Sequence, residues 1–282
     1  MRKDFILKIQ KDKLAFTSFC FIFCIILLGV FAPFVSPNDP YLVDLDNKLL
    51  SSSFTYPLGT DHLGRCTASR LIYGIRTTLF YALLAMIITV FIALVLGVLA
   101  SFFKSLQAII LRVCDILLSF PSELMMLAII GFLGTGIENI IIAAIISKVA
   151  WYTRMIYSFT IEHIDKNYIH YSKAIGIPST IILRKHLIPL ILSDLIMLAT
   201  LNVGTIILSI SALSFLGLGI QAPACEWGVM LNEAKELMTI NPYLMLPPGI
   251  MILLVVLSFN ILGDSIRDAL DPHYNLNVKD ES

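Results

Sequence analysis

Residues 164–189 read IDKNYIHYSKAIGIPSTIILRKHLIP, and the rest of the chain is arranged around them. The stretch lies between two long apolar runs, yet it carries Asp165, Lys166, His170, Lys173, Arg184, Lys185 and His186. Gly176-Ile177-Pro178 divides it: glycine suits a left-handed C-cap, and proline does not continue the helix before it. Tyr168, Ile169, Ala174 and Ile175 give the first piece an apolar side at helical spacing, and Ile181, Ile182 and Leu187 do the same for the second. A polar helical hairpin between membrane spans is suited to pressing against something at the membrane surface. The plainer reading is an ordinary connecting loop, but connections are usually short and this one is long and patterned.

The flanks settle the class. The chain is 57% hydrophobic and 14% charged, against about half and a quarter in soluble domains, so an all-α integral membrane protein is expected. Zero net charge argues against a nucleic-acid partner. The five cysteines form no CxxC pair, and Cys20 and Cys24, one helical turn apart, read as small apolar-tolerant side chains. Counting apolar runs against the roughly 20 residues needed to cross a bilayer gives six spans. They are Leu14–Val35, Leu79–Phe103, Ala108–Phe132, Ile140–Ile161, Leu190–Leu218 and Leu244–Leu262. The first is too long, and lacks the small-residue cleavage site, for a removed signal peptide, and reads as an anchor. Arg2, Lys3, Lys8, Lys11 and Lys13 precede it. By the positive-inside rule both termini and the hairpin 165–189 are cytoplasmic. The expected layout is an N-terminal segment 1–13, a first span 14–35, an extracytoplasmic segment 36–78, a core of five spans over 79–263 and a tail 264–282.

Polar residues within this layout carry the remaining expectations. In the outer segment, Gly59-Thr60-Asp61 reads as a helix start with Thr60 or Asp61 as N-cap. Leu63, Ala68, Leu71 and Ile72 would form its apolar side, with the arginines turned to water or headgroups. His62 and Cys66 are spaced to face one metal, but two ligands without a third make no site. In the third span Arg112 and Asp115 are placed to pair on one helix face, and Pro121 should kink the helix. Glu123 beyond it faces either a central cavity or a partner subunit. Lys148 in the fourth span either snorkels or lines a polar path, while Trp151, Tyr152 and Arg154 read as an interfacial belt. Asn202, Gly204 and Ser209, Ser211 and Ser214 mark a close helix-packing face in the fifth span. Glu123, Lys148 and Asn202 are thus the candidates for a translocation path. No GxxxxGK[ST], His-Glu-x-x-His or nucleophile elbow occurs. Uphill movement would therefore draw on a partner or an ion gradient.

Several stretches together then resemble one family: PLGTDHLGR with SRLIYGIR, RVCDILLSFP, the hairpin, SALSFLGLG and FNILGDSIRDALDPH, in order from about residue 14 to 273. They are similar to the C-type permease subunits of bacterial ABC importers for oligopeptides, dipeptides and nickel. The resemblance implies a type I importer permease fold in the bacterial cytoplasmic membrane, with the hairpin as the EAA coupling loop. Its pattern falls on His170, Tyr171, Ser172, Gly176 and Pro189; the glycine and the proline match, and the Glu-Ala-Ala does not. The implied ATPase-coupling residues are Tyr168, Ile169, Lys173, Ala174, Ile175, Gly176, Arg184 and Pro189. The resemblance further implies a non-catalytic subunit beside a homologous second permease, two ATPase subunits and an extracytoplasmic binding protein. It implies no cofactor on this chain, ATP-Mg being held by the ATPase partners, and no resident metal. AWYTRM, APACEWGVMLNEA and DHLGRC resemble the nickel or metal-chelate branch more than the peptide branch, which stays open as the alternative. An ion-coupled secondary transporter would instead use Glu123, Lys148 and Asp194 as a relay, and a membrane scaffold would need no hairpin.

Overall fold

The computed structural model describes residues 12–270, which are helical apart from connecting loops and one isolated bridge between Thr60 and Cys66. The expected segment 1–13, with Arg2, Lys3, Lys8 and Lys11, lies almost wholly outside the described residues, as does the tail from Asp271 onward. Helix α1 spans Lys13–Val30 and is capped by Asp12, whose carboxylate accepts from the N–H of Leu14 and Ala15. It stops short of the expected Val35. Pro33 has no N–H for the helical ladder, so the chain breaks at Phe31 and makes one more turn over Ala32–Val35.

Helix α2, Thr67–Phe102, is the longest element. The outer helix and the second span, separate in the sequence reading, are one rod joined through a looser turn at Arg76–Phe80. Helices α3, Lys104–Leu118, and α4, Ser122–Leu133, meet at 90°. Pro121 sits at the corner, so the expected kink is a full break. Helix α5 spans Ile137–Ile164, α6 Asn167–Ala174, and after the turn Ser179–Ile182 comes α7, Leu183–Phe215. Helix α8, Trp227–Lys235, crosses the far end of the bundle, and α9 spans Leu246–Leu270. Five helices are long and apolar enough to cross a membrane, and the bent pair α3–α4 makes a sixth crossing if taken as one span.

Small residues decide how these rods pack. Ala82, Ala85, Thr89, Ala93, Gly97 and Ala100 line one face of α2, and Ala143, Ala144, Ser147, Ala150 and Thr153 one face of α5; all are buried. A Cβ on Gly97 would lie 2.7 Å from the Ile156 side chain. With no strong hydrophobic drive between helices in lipid, such close backbone approach supplies the dispersion contact that holds them. The same device joins α7 to α9, where Gly204 faces Val256. The packing face expected in the fifth span is present at Gly204, Ser211 and Ser214, while Ser209 is half-buried and donates back to the Thr205 carbonyl.

Candidate functional site

The hairpin is seated from below and open above. Helix α6 ends at Ala174 and Gly176 adopts φ +80°. The Ile177 N–H donates to the Ser172 carbonyl at 3.1 Å, the closing bond of a Schellman cap. The expected left-handed glycine is therefore present. Pro178 starts the next turn, its carbonyl accepting from the N–H of Ile181 and Ile182. Ile169, Ile182 and Leu187 are completely or almost completely buried and join the main core. This corrects one expectation: Ile169 is 0% exposed and anchors the hairpin rather than presenting a surface. Tyr168, Tyr171, Ile175 and Ile181 point outward, Tyr171 at 68% and Ile175 at 58% exposure. Ala174, Gly176, Arg184 and Pro189 are exposed as well. The side chain of Lys173 is outside the described ones. Exposed tyrosine and isoleucine on a short, capped helix form a compact apolar patch with polar edges.

Polar groups within the bundle sort into separate contacts. The Lys148 Nζ donates to the Ser122 Oγ at 3.2 Å, Ser122 in turn donates to Glu123 Oε1 at 2.9 Å, and Lys148 and Glu123 stand 4.0 Å apart. The structure thus brings Glu123 and Lys148 together across the corner of the bent pair. Asn202 belongs elsewhere: its Nδ2 donates to the Leu198 carbonyl at 2.8 Å, which also accepts from the Tyr152 hydroxyl at 3.3 Å. Two expectations change. Asp115 pairs with Arg154 at 2.8 Å rather than with Arg112, because α3 lies against α5 at that level. Tyr152 is buried, which leaves Trp151 and Arg154 as the exposed members of the expected belt.

The far end of the bundle is closed by charge. Arg65 and Arg70, expected to face water or headgroups, are 2% and 1% exposed. Arg65 Nε donates to Asp61 Oδ2 at 2.7 Å and its Nη2 to Glu233 Oε2 at 2.9 Å. Arg70 Nη1 reaches the same two oxygens at 2.7 and 2.6 Å. Two guanidinium groups against two carboxylates make a balanced network, the condition under which charges tolerate burial. Asp61 Oδ1 also accepts from the backbone N–H of Leu63 and Arg65, so the residue shapes its loop rather than capping a helix. The helix begins six residues later, at Thr67, behind Cys66. Burial alone raises the Asp61 pKa, but the coulombic pull of Arg65 and Arg70 outweighs it and holds the carboxyl below its ordinary value.

Helix α8 is locked at its other end too. Glu226, 0% exposed, caps it by accepting from the Val229 N–H at 2.8 Å. Its second oxygen accepts from Ser211 at 2.9 Å and Thr78 at 3.1 Å. The Trp227 indole N–H donates to the Leu71 carbonyl, and its ring packs where Gly74 leaves room. The sequence reading assigns neither Glu226 nor Glu233 a partner at this end of the bundle. The one available signal was two outer arginines without assigned counter-charges. His62 lines a small cavity beside this network, together with Asp61, Thr67, Arg70 and Glu233.

The geometry can be set beside known proteins. The family described as the inner membrane component of binding-protein-dependent transport systems matches residues 90–276, and the N-terminal transmembrane domain of oligopeptide transport permease C matches residues 1–52. The chain is 41% identical to the metal-staphylopine import system permease protein CntC of Staphylococcus aureus, over 94% of this chain and 92% of that protein. It is 37% identical to the nickel transport system permease protein NikC of Escherichia coli, over 84% and 86%. It is also 37% identical to the dipeptide transport system permease protein DppC of Alkalihalophilus pseudofirmus, over 94% and 88%. Among solved structures, a chain of the inward-facing MetNI methionine ABC transporter matches with a TM-score of 0.55 and 21% identity, over 72% of this chain and 97% of that one, a likeness in fold. A capped hairpin standing off a bundle of spans therefore has a family to explain it: the chain belongs to the binding-protein-dependent inner membrane permeases, as an ABC importer permease subunit of the OppC, DppC and NikC group.

Proposed function

We propose that this subunit forms one half of a translocation path with a homologous permease, and that its hairpin receives the motion of an ATPase subunit on the cytoplasmic side. The observation that carries the coupling reading is the hairpin's asymmetry. Ile169, Ile182 and Leu187 fix it to the spans, while Tyr168, Tyr171, Ala174, Ile175 and Gly176 form the face offered to a partner. Burying such a patch supplies about 1.5–3 kcal/mol per large side chain, enough to keep a contact through a conformational cycle. Arg184 and Pro189, both exposed, lie at its edge, and Lys173 belongs to the same helix. ATP-Mg is held by the ATPase partners, and an extracytoplasmic binding protein delivers cargo to the α8 end. Both termini lie in the cytoplasm. Glu123 and Lys148, linked through Ser122, are the polar pair assigned to the path, with Asn202 on the α7 side of it.

The proposed cargo is nickel or a metal held by a small chelator. Support comes from the two metal-importer permeases among the relatives and from the metal-branch resemblance of the AWYTRM, DHLGRC and APACEWGVMLNEA stretches. The test is uptake of radioactive nickel by cells with and without the gene, competed by peptides and by a chelator. Loss of uptake on deletion, insensitive to peptides, is the expected result. Unchanged nickel uptake would transfer the assignment to di- or oligopeptides, the reading that the similarity to DppC supports.

A further inference from the structure

Helices α5 and α7 enter and leave the hairpin, and each carries one ionisable group toward the other. His163 Nε2 on α5 stands 3.7 Å from Asp194 Oδ2 on α7, with the side chains 13% and 36% exposed. The His163 Nδ1 is buried without a hydrogen-bond partner. Glu162, repelling, and Lys166, attracting, are the other charges close to Asp194. Asp194 is half-buried on α7, next to Leu195 and one turn from Ile191, both completely buried. A carboxylate among such neighbours is costly unless something answers its charge. What answers it comes from the opposite stem.

We infer that His163 and Asp194 are positioning residues that clamp the two stems of the hairpin, so that a push on the hairpin moves α5 and α7 together. The inference rests on the coupling reading above. Among the described residues, Ile169, Ile182 and Leu187 make buried apolar contacts beneath the hairpin. Apolar contact is non-directional and lets packed helices slide past each other by small shears. A directional histidine–carboxylate contact between the two stems instead fixes their relative height. At 3.7 Å the pair is longer than a charge-assisted hydrogen bond, about 2.7–2.9 Å, so its strength follows the separation of the stems.

The experiment uses the complete importer in vesicles: this chain, its partner permease, the ATPase subunits and the binding protein purified from the same cells. The readout is the ratio of binding-protein-stimulated to basal ATP hydrolysis. Asp194→Asn and His163→Gln should each lower that ratio by about fivefold or more, as a lost coupling free energy does, while basal hydrolysis stays close to the parent rate. Asp194→Glu, which restores the charge, should recover most of it, a rescue that a purely space-filling role would not give. In parallel, Tyr171→Cys on the exposed face is crosslinked to the ATPase subunit. Persistent crosslinking with an unchanged ratio in Asp194→Asn, or Asp194→Glu as poor as Asp194→Asn, overturns the clamp alone. No crosslink in the otherwise unaltered importer overturns the coupling reading and the clamp with it.

Discussion

At the α8 end of the bundle four charged side chains, Asp61, Arg65, Arg70 and Glu233, are turned inward and pair with one another, whereas at the hairpin end Tyr168, Tyr171, Ile175 and Ile181 are turned outward. The first end buries charge, and the second exposes large apolar side chains. Inward charges in a closed network give register: a guanidinium between two carboxylates has few alternative positions. Helix α8 is thereby fixed at both ends, by Glu226 to α2 and α7 and by Glu233 to the loop and start of α2. Outward apolar groups on a rigid turn give adhesion without register, which suits a surface that a partner grips and moves. One end is built to hold its shape, the other to be acted upon.

The most severe test of this contrast removes a charge from the closed end. Arg70→Met leaves Asp61 and Glu233 sharing a single guanidinium, and breaking a buried pair in this way costs about 3–5 kcal/mol. We expect little folded protein in the membrane, measured as the monodisperse fraction of a fluorescent fusion in detergent. Parent-like yield and melting would mean that the network is ornamental. At the open end, Gly176→Val should leave the amount of folded protein near normal, since a Cβ there meets nothing within 4 Å. A β-branched residue at φ +80° nonetheless costs about 1–2 kcal/mol or more and would re-aim the hairpin. Uptake should fall about tenfold while basal ATP hydrolysis persists; normal uptake with normal substrate-stimulated hydrolysis would remove the glycine from the coupling argument.

Smaller changes sharpen the picture. Ile175→Asp puts a charge into the outward patch and should weaken co-purification of the ATPase subunit by about tenfold, the equivalent of one large apolar side chain, with the melting temperature unaltered. The Asp61 carboxyl adds a pH signature. Its folded-state pKa is lowered by Arg65 and Arg70 against burial, so near the ordinary carboxylate value the unfolded chain binds more protons than the folded one. The stabilisation is present above the unfolded pKa, about 3.9, and is lost as pH falls through the lower folded value. The melting-temperature gap between the parent and Asp61→Asn should therefore narrow below about pH 4; a gap independent of pH would break the electrostatic account. Least of all, Lys173→Glu on α6 should change uptake by no more than about twofold, and a larger loss would add a specific ion pair to the proposed docking face.

Local chemistry explains which features were legible in the sequence. The spans follow from apolar length, the corner at Pro121 from a missing N–H, and the hairpin's C-cap from a glycine placed just past a helical period. Each depends on residues within one or two turns. The resemblance to binding-protein-dependent permeases rested on motifs strung along the chain, and the matches over residues 90–276 and 1–52 agree with it. The partners of charges were not legible. Arg112 and Asp115 have helical spacing, yet Asp115 is claimed by Arg154 on α5. Arg65 and Arg70 looked like headgroup ligands, yet Glu233, 168 and 163 positions away in the chain, draws them inward. Ile169 belonged to the outward pattern by spacing, yet it is completely buried in the main core. Period and composition are set by neighbours along the chain and so are written in it. Whether a charge faces lipid, water or a counter-charge, and which apolar residue of a short helix is covered, depends on how rods far apart in sequence are laid side by side, and only the tertiary structure decides that.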